Sequence, residues 1–357
     1  MALSLWASRA LRHARLGASV VGFVATRFAR LIAVCAIVVV ASFMFMQLIP
    51  GDPATIRLGE HADARQVAAM RAQLGLDKPW PVQLGMYAAR VAHGDLGVSV
   101  VDGQSAAHKL AQAFPATLEL ASAALFFAVA AGVPVGVFAA VHKRTWSDGL
   151  AMSGMMLGVS VPVFWLGWML IYLLAVLPGR LGFDLFPISG RLSFAYVVPA
   201  RTHLLVLDAL LAGNCAAAWD ALRHLMLPAV TLGTIPLAII AKITRSSMLE
   251  VLGSDYIRTA RAKGACARAV LFGHALRNAL IPMITVIGLQ TGMLLGGAVL
   301  TEHIFAWPGV GRLVFNAISN RDAPLVNACI LLFAAAFVLV NALVDVVYTL
   351  VDPRLRS

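Results

Sequence analysis

Six long apolar stretches limit what this chain can fold into more than any other feature of its sequence. Each contains roughly the 20 residues that a helix needs to cross about 30 Å of hydrocarbon. They run at about Phe28–Ile49, Ala116–Val141, Leu150–Val176, Leu225–Thr244, Ala279–Leu300 and Leu325–Val351. Backbone groups in lipid must be paired within the segment, so each stretch predicts a transmembrane helix rather than a strand. Prolines 134, 162, 228 and 236 fall inside the stretches, where membrane helices tolerate them.

The composition agrees with this interpretation. Of the 357 residues, 60% are hydrophobic and 13% charged, whereas soluble domains have about 45–50% and about 25%. Such a chain cannot form one water-soluble core, and disordered, collagen and coiled-coil classes are excluded. The sequence predicts an all-α, polytopic membrane protein with about six transmembrane helices.

The basic residues indicate the orientation of the spans. With both termini in the cytoplasm, the cytoplasmic segments carry 16 Lys and Arg against 4 acids, and the outer segments carry 12 against 11. Cytoplasmic loops are enriched in Lys and Arg, so this orientation is preferred. The net charge of +11 is therefore a topology signal rather than a sign of nucleic-acid binding.

These signals divide the chain into four parts. Residues 1–27 form a basic cytoplasmic extension, predicted to be either an amphipathic helix on the membrane surface or an unstructured tail, and not a cleaved signal peptide. Residues 28–115 contain the first span and an outer segment. Residues 116–351 hold five spans and a cytoplasmic loop at about 245–278, and residues 352–357 form a cytoplasmic tail.

Several chemistries have no support in the sequence. The four cysteines (35, 215, 266 and 329) form no CxxC pair, and the nine histidines form no HExxH motif, so neither metal nor redox sites are predicted. No nucleophile–base arrangement stands out, and no catalytic residue is assigned. A phosphate-binding GxxxxGK[ST] loop is absent, so this chain is not expected to bind ATP.

The loop after the fourth span has a pattern that charge alone does not require. Asp255-Tyr-Ile-Arg-Thr-Ala-Arg-Ala-Lys-Gly264 is followed about ten residues later by His274-Ala-Leu-Arg-Asn-Ala-Leu-Ile-Pro282. Its length allows one short helix outside the lipid, with a turn at Gly264. A solvated loop that only sets orientation is the alternative.

At these residues the chain resembles the permease subunits of ABC importers, in the branch serving dipeptides and oligopeptides. The cytoplasmic EAA loop of that family has Glu-Ala-Ala, three residues and Gly. With its Gly on Gly264, its first three positions fall on Arg258, Thr259 and Ala260, of which only Ala260 matches the general form. The sequence Arg-Thr-Ala-Arg-Ala-Lys-Gly is the form typical of the peptide branch.

The resemblance extends over residues 24–356, with residues 1–23 outside it. Its further motifs are Pro50–Pro53, Leu74–Pro79, Gly94–Gly97, Pro115–Leu120, Ser160–Trp165, His224–Pro228, Phe305–Arg312, Asn341–Asp345 and Asp352–Arg354. Each is weak alone, but their order and spacing are specific. The resemblance implies a type I ABC importer permease in the bacterial inner membrane.

The resemblance also implies how transport is driven. A short helix in the cytoplasmic loop would dock on a separate ATPase. The residues that the resemblance assigns to this coupling are Arg258, Thr259, Ala260, Arg261, Lys263, Gly264, Ala265 and His274. The implied partners are a second homologous permease, two ATP-binding subunits that use ATP and Mg, an extracytoplasmic solute-binding protein and the lipid bilayer. This chain itself would bind no cofactor.

Two ionisable residues fall inside predicted spans. Glu119 and Asp345 could line the solute pathway. Alternatively, Glu119 lies in the first turn of its helix, where the dipole favours an acid, and Asp345 pairs near the inner interface. In the outer segments, Leu204–Leu211 and Ala217–Leu225 predict small helices that could receive a partner.

Other functions remain open at this level. The same permease scaffold serves glutathione, nickel complexes and other solutes. A secondary transporter driven by an ion gradient would show inverted repeats and broken half-helices, and no convincing repeat is present. A membrane enzyme would show clustered polar catalytic residues at one membrane face.

Overall fold

The computed structural model describes residues 32–44, 47, 53–58 and 63–351, without the side chains of residues 53, 56, 57, 74 and 345–351. The first half contains α1 (Ile32–Met44), α2 (Pro53–Leu58), α3 (Ala64–Leu74), α4 (Trp80–Ala92), α5 (Ala106–Val141), α6 (Trp146–Ser160) and α7 (Val163–Ile171). The second half contains α8 (Leu177–Arg180), α9 (Leu205–Leu211), α10 (Cys215–Leu252), α11 (Asp255–Ala262), α12 (Leu276–Ile304), α13 (Val310–Ser319) and α14 (Ala323–Val351). Single π-helical turns, Tyr172–Val176 and Ala269–Ala275, lead into α8 and α12. The described residues contain no β-strand, which confirms the all-α class.

Five helical segments in the described part of the chain are long and apolar enough to cross a membrane. They are Ala106–Val141, Val163–Arg180, Cys215–Leu252, Ala269–Ile304 and Ala323–Val344. Each overlaps a predicted span. Of the first predicted span, the structure describes α1, a shorter apolar helix, and residue 47. The other residues of that span and the 1–27 extension lie outside the described residues.

The helix boundaries correct the predictions in three places. α5 begins ten residues before Ala116, so the boundary expected between residues 115 and 116 falls inside a helix. Ala217–Leu225 is the start of α10 and not a separate helix, whereas Leu204–Leu211 does form a small helix, α9. The third span is two helices, because Val161 is extended (φ −83°, ψ 128°) before Pro162, a residue type that disfavours helical backbone in its predecessor.

The centre of the bundle is the pair α5 and α10, which approach closely at glycines. A Cβ on Gly136 would lie 2.5 Å from the Ala241 carbonyl oxygen, and one on Gly233 would lie 2.7 Å from the Ala124 oxygen. Around this pair, α12 and α14 complete an apolar core that includes Leu120 and Leu294. The close approach therefore fixes the two helices that carry the site elements described below.

Loops predicted on one side of the membrane lie together. Arg245, near the end of α10 where the predicted fourth-to-fifth loop begins, pairs with Asp148 in the first turn of α6. At the other end, Ser99 donates a hydrogen bond to Asp322, and Arg191 lies 5.4 Å from the centre of the Trp307 ring. This grouping agrees with the alternation of the predicted loops.

Candidate functional site: a helix between the fourth and fifth spans and a polar network at the other end

The predicted short helix in the loop after the fourth span is present as α11. It begins after Ser254, whose backbone is extended, and ends at Ala262, with Lys263 as the C-cap residue. The Gly264 amide donates to the Arg261 carbonyl (3.0 Å), and the Ala265 amide donates to the Ala260 carbonyl (3.2 Å). This pair of bonds is a Schellman motif, in which the C′ residue adopts the left-handed conformation. Gly264 has φ +81°, which confirms the turn predicted at this glycine.

One face of α11 is anchored to the bundle. Ile257 is completely buried, in a cluster with Val137 of α5 and Met248 of α10. The Tyr256 hydroxyl accepts a hydrogen bond from Asn278 Nδ2 (2.9 Å), and the same amide donates to the His274 carbonyl (2.9 Å). A displacement of α11 would therefore be transmitted to α10 and to the start of α12.

The opposite face of α11 is exposed and basic. Of the predicted coupling residues, Ala260 and Ala265 are half-buried, and the rest are exposed, namely Arg258, Thr259, Arg261, Lys263, Gly264 and His274. Arg258 lies 3.4 Å from Asp255 in a solvent-exposed pair, an arrangement that contributes little to stability. Seven of the predicted coupling residues, all between 258 and 265, thus lie on α11 and the turn that ends it, and His274 lies on the π-helical turn that follows.

An ion pair holds the turn between α5 and α6 against the same end of α10. Arg245 donates from Nε and Nη2 to the two carboxylate oxygens of Asp148, both at 2.7 Å. Asp148 also accepts the Arg144 amide (3.2 Å). A bidentate arrangement of this kind adds geometric specificity to the charge attraction, and it sets the turn between α5 and α6 relative to the helix that leads into α11.

Glu119 is engaged at the other end of the bundle. Its carboxylate pairs with the Arg191 guanidinium and accepts the Val206 amide (2.9 Å). The expectation that Glu119 lies in the first turn of its helix is wrong, because α5 begins at Ala106 and Glu119 is more than three turns further on. Both carboxylate oxygens have partners in the protein, so the contacts of Glu119 are those of a residue that joins the loop at Arg191 and the start of α9 to α5.

A second acid, Glu302, was not singled out from the sequence because it falls just beyond the predicted fifth span. In the structure α12 continues through it, and its side chain is completely buried. Its carboxylate accepts the Thr117 hydroxyl (2.7 Å) and the Arg312 amide (3.0 Å). The glycines of the Phe305–Arg312 motif were the available signal, since a Cβ on Gly309 would overlap this carboxylate.

The remaining predictions about site residues have different outcomes. The backbone of Asp345 lies in α14, but its side chain is outside the described residues. Among the described residues, no group of three or more His, Cys, Asp and Glu side chains could hold a metal ion. No residue was predicted to be catalytic.

The fold, with its exposed basic helix between two spans, is that of a membrane-embedded transport component, and comparison with known families agrees. Residues 132–357 match the family described as binding-protein-dependent transport system inner membrane component, and residues 20–121 match the N-terminal domain of the same systems. The chain belongs to this family. It is therefore a multi-pass inner membrane protein and the permease component of a transporter, as predicted.

Curated relatives are similar over nearly their whole length. The Di/tripeptide transport system permease protein DppB of Pseudomonas aeruginosa is 47% identical over 94% of this chain and 98% of its own length. The Dipeptide transport system permease protein DppB of Escherichia coli K12 is 47% identical over 88% and 93%. The Glutathione transport system permease protein GsiC of Salmonella paratyphi A is 38% identical over 94% and 98%.

Proposed function

We propose that this chain is the permease half of an ATP-driven importer of dipeptides and similarly short peptides. It works with a second homologous permease, two ATP-binding subunits that hold ATP and Mg, and an extracytoplasmic solute-binding protein. Both termini lie in the cytoplasm, and the chain itself binds no cofactor. Support for the solute comes from the 45–47% identity to permeases named for dipeptide transport.

The observation that carries the proposal is α11. It is a short helix with one buried residue fixed in the bundle, Ile257, and an exposed basic face. An ATPase subunit that binds this face and moves would shift α10 and α12 through Ile257 and through the bond between Tyr256 and Asn278. In this mechanism Arg258, Arg261 and Lys263 orient the docked subunit, and Gly264 ends the helix at the correct residue.

Gly264 offers the sharpest test of coupling. A β-branched residue is strongly disfavoured at φ +81°, although no other heavy atom lies within 4 Å of a Cβ placed there. We expect Gly264→Val, in the assembled complex in proteoliposomes, to insert normally and to abolish uptake of dialanine and dialanine-stimulated ATP hydrolysis. Gly264→Asn should retain much of the activity, because Asn tolerates the left-handed conformation.

The matched control is Gly273→Ala, which also adds a side chain to an exposed glycine with free space around it but without a positive φ. It should transport normally.

In parallel, the native Cys266, which is exposed directly after Ala265, should cross-link to the ATPase subunit in a nucleotide-dependent manner. Normal ATP-driven uptake by Gly264→Val together with no cross-link from Cys266 would remove the coupling role.

Glutathione import is the second candidate, favoured by the 38% identity to GsiC over nearly the whole chain. Identification of the solute retained by the native binding protein separates the two candidates. Dialanine uptake that glutathione does not inhibit supports the dipeptide assignment, and the reverse pattern supports glutathione.

A further inference from the structure

An apolar groove of about 550 Å³ lies between the end of α5 and the first turns of α6. Its lining includes Pro134 and Phe138 of α5 together with Leu150, Ala151, Gly154 and Met155 of α6. The groove exists because Ala151 and Gly154 are small while Phe138 and Leu150 stand beside them. A Cβ on Gly154 would meet no heavy atom within 4 Å, so the surface of α6 beside this glycine is not covered by another part of the described chain.

The end of the groove is marked by positive charge. The turn between α5 and α6 carries Lys143 and Arg144, both exposed, and Trp146 is 81% exposed beside them. No ion pair within the described part of the chain involves either cation. The acid that faces this turn, Asp148, is already bound by Arg245. The local charge at the mouth of the groove is therefore positive.

The groove and the basic turn beyond it together span about one membrane leaflet. Pro134 lies eight residues before His142, where the basic turn begins, which is about 12 Å along a helix at 1.5 Å per residue. Half of a hydrocarbon core of about 30 Å is about 15 Å. An exposed Trp and two cations at one end of such a groove are the groups that favour the headgroup region.

We propose that this groove binds one anionic phospholipid, with an acyl chain between α5 and α6 and the phosphate at Lys143 and Arg144. The apolar lining takes the chain, Trp146 lies at the level of the headgroup, and the two cations select negative charge. This site is independent of the solute, and it lies on the turn that the Asp148–Arg245 pair connects to α10. Bound lipid therefore stabilises the end of the bundle that carries α11.

The unmodified protein provides the first test. The assembled complex is reconstituted with phosphatidylglycerol bearing a photoactivatable group on its acyl chain. After illumination, the lipid should be attached to peptides covering residues 134–155. Labelling spread evenly over all apolar helices, without enrichment there, would overturn the proposal.

Two variants test the two halves of the site. In Lys143→Gln/Arg144→Gln, labelling by phosphatidylglycerol at residues 134–155 should fall about thirtyfold, the effect of losing two cations near an anionic lipid, whereas labelling by phosphatidylcholine should not change. Gly154→Leu should abolish labelling by both lipids, because the side chain fills the groove. Gly149→Leu, at another glycine with free space but outside the lining, is the control and should label normally.

Other occupants give different results. A cross-link from Gly154→Cys to the partner permease, or to the first 31 residues of this chain, would show that protein covers the groove and would overturn the proposal. Unchanged preference for phosphatidylglycerol in the double glutamine variant would also overturn it. Normal lipid labelling in the Gly154→Leu variant would likewise overturn the proposal, whatever its rate of peptide uptake.

Discussion

Glu302 shows how a single buried acid can determine the residues around it. Its carboxylate accepts hydrogen bonds from Thr117 and from the start of α13, and Thr117 Oγ1 in turn accepts the Val310 amide (2.8 Å). A buried carboxylate that lost these donors would be strongly destabilising. The loop between α12 and α13 must therefore bring its backbone against Glu302, which leaves no room for a side chain at position 309.

This arrangement predicts a large effect of a very small substitution. In Gly309→Ala the added methyl group would overlap the Glu302 carboxylate, and overpacking of this kind costs about 1–3 kcal/mol. We expect a lower Tm of the detergent-solubilised protein. Gly297→Ala, at a helical glycine with no heavy atom within 4 Å of the new Cβ, should be neutral or slightly stabilising. Equal Tm values for the two variants would contradict this explanation.

Residues differ in how much of their role can be predicted from sequence. The turn at Gly264 was predictable, because its hydrogen bonds run only to residues 260 and 261. The partner of Glu119 was not, since Arg191 lies 72 positions away and its approach depends on how the outer loops fold. Glu302 was overlooked because a span predicted from hydropathy stops where the first charged residue appears. In the structure the helix continues, because hydrogen bonds to the Glu302 carboxylate allow it to be buried.

Among the secondary-structure elements, α9 depends on one acid at its start. Asp208 accepts the amides of Arg201 (3.1 Å), Thr202 (2.8 Å) and His203 (3.0 Å) as well as the Thr202 hydroxyl (2.7 Å). Burial raises the pKa of Asp208, but these hydrogen bonds outweigh it and hold the pKa below its ordinary value of 3.8. The ionised form therefore stabilises the loop and α9.

The sign of this shift gives a pH-dependent prediction. Stability from Asp208 is fully present above pH 3.8 and is lost as the pH falls through the lowered pKa of the folded state. Asp208→Asn should lower Tm by a few degrees at neutral pH, and the difference from wild type should shrink in acid. Asp77→Asn, at an exposed outer carboxylate, is the control. A difference that stays constant with pH would contradict the role of the Asp208 charge.

Spans were more predictable than their ends. The positions of the long apolar helices follow from hydropathy, but the extra turns of α5 and α10 are amphipathic and become helical by packing on the outer loops and α13. The break in the third span was encoded locally by Val161-Pro162. It was not predicted, because proline inside a membrane helix can either be accommodated or end the helix.

For the whole molecule, two native cysteines report the orientation. Cys215 is exposed at the start of α10, a few residues after α9, and Cys266 is exposed just after α11. With both termini in the cytoplasm, an impermeant maleimide added to intact cells should label Cys215 and should label Cys266 only after permeabilisation. Cys215→Ser and Cys266→Ser identify which cysteine gives each signal. Labelling of Cys266 from outside would show that the orientation is the opposite of the one predicted.

The Schellman motif at Gly264 also has a consequence for biosynthesis. Every hydrogen bond that ends α11 lies within residues 259–265, so the stop signal is complete as soon as this short stretch leaves the ribosome. No ATPase and no later span is needed to define where α11 ends. The end of the helix is therefore defined before the complex assembles. An ATPase subunit binds a helix that is already formed, which lowers the entropic cost of ordering this loop on association.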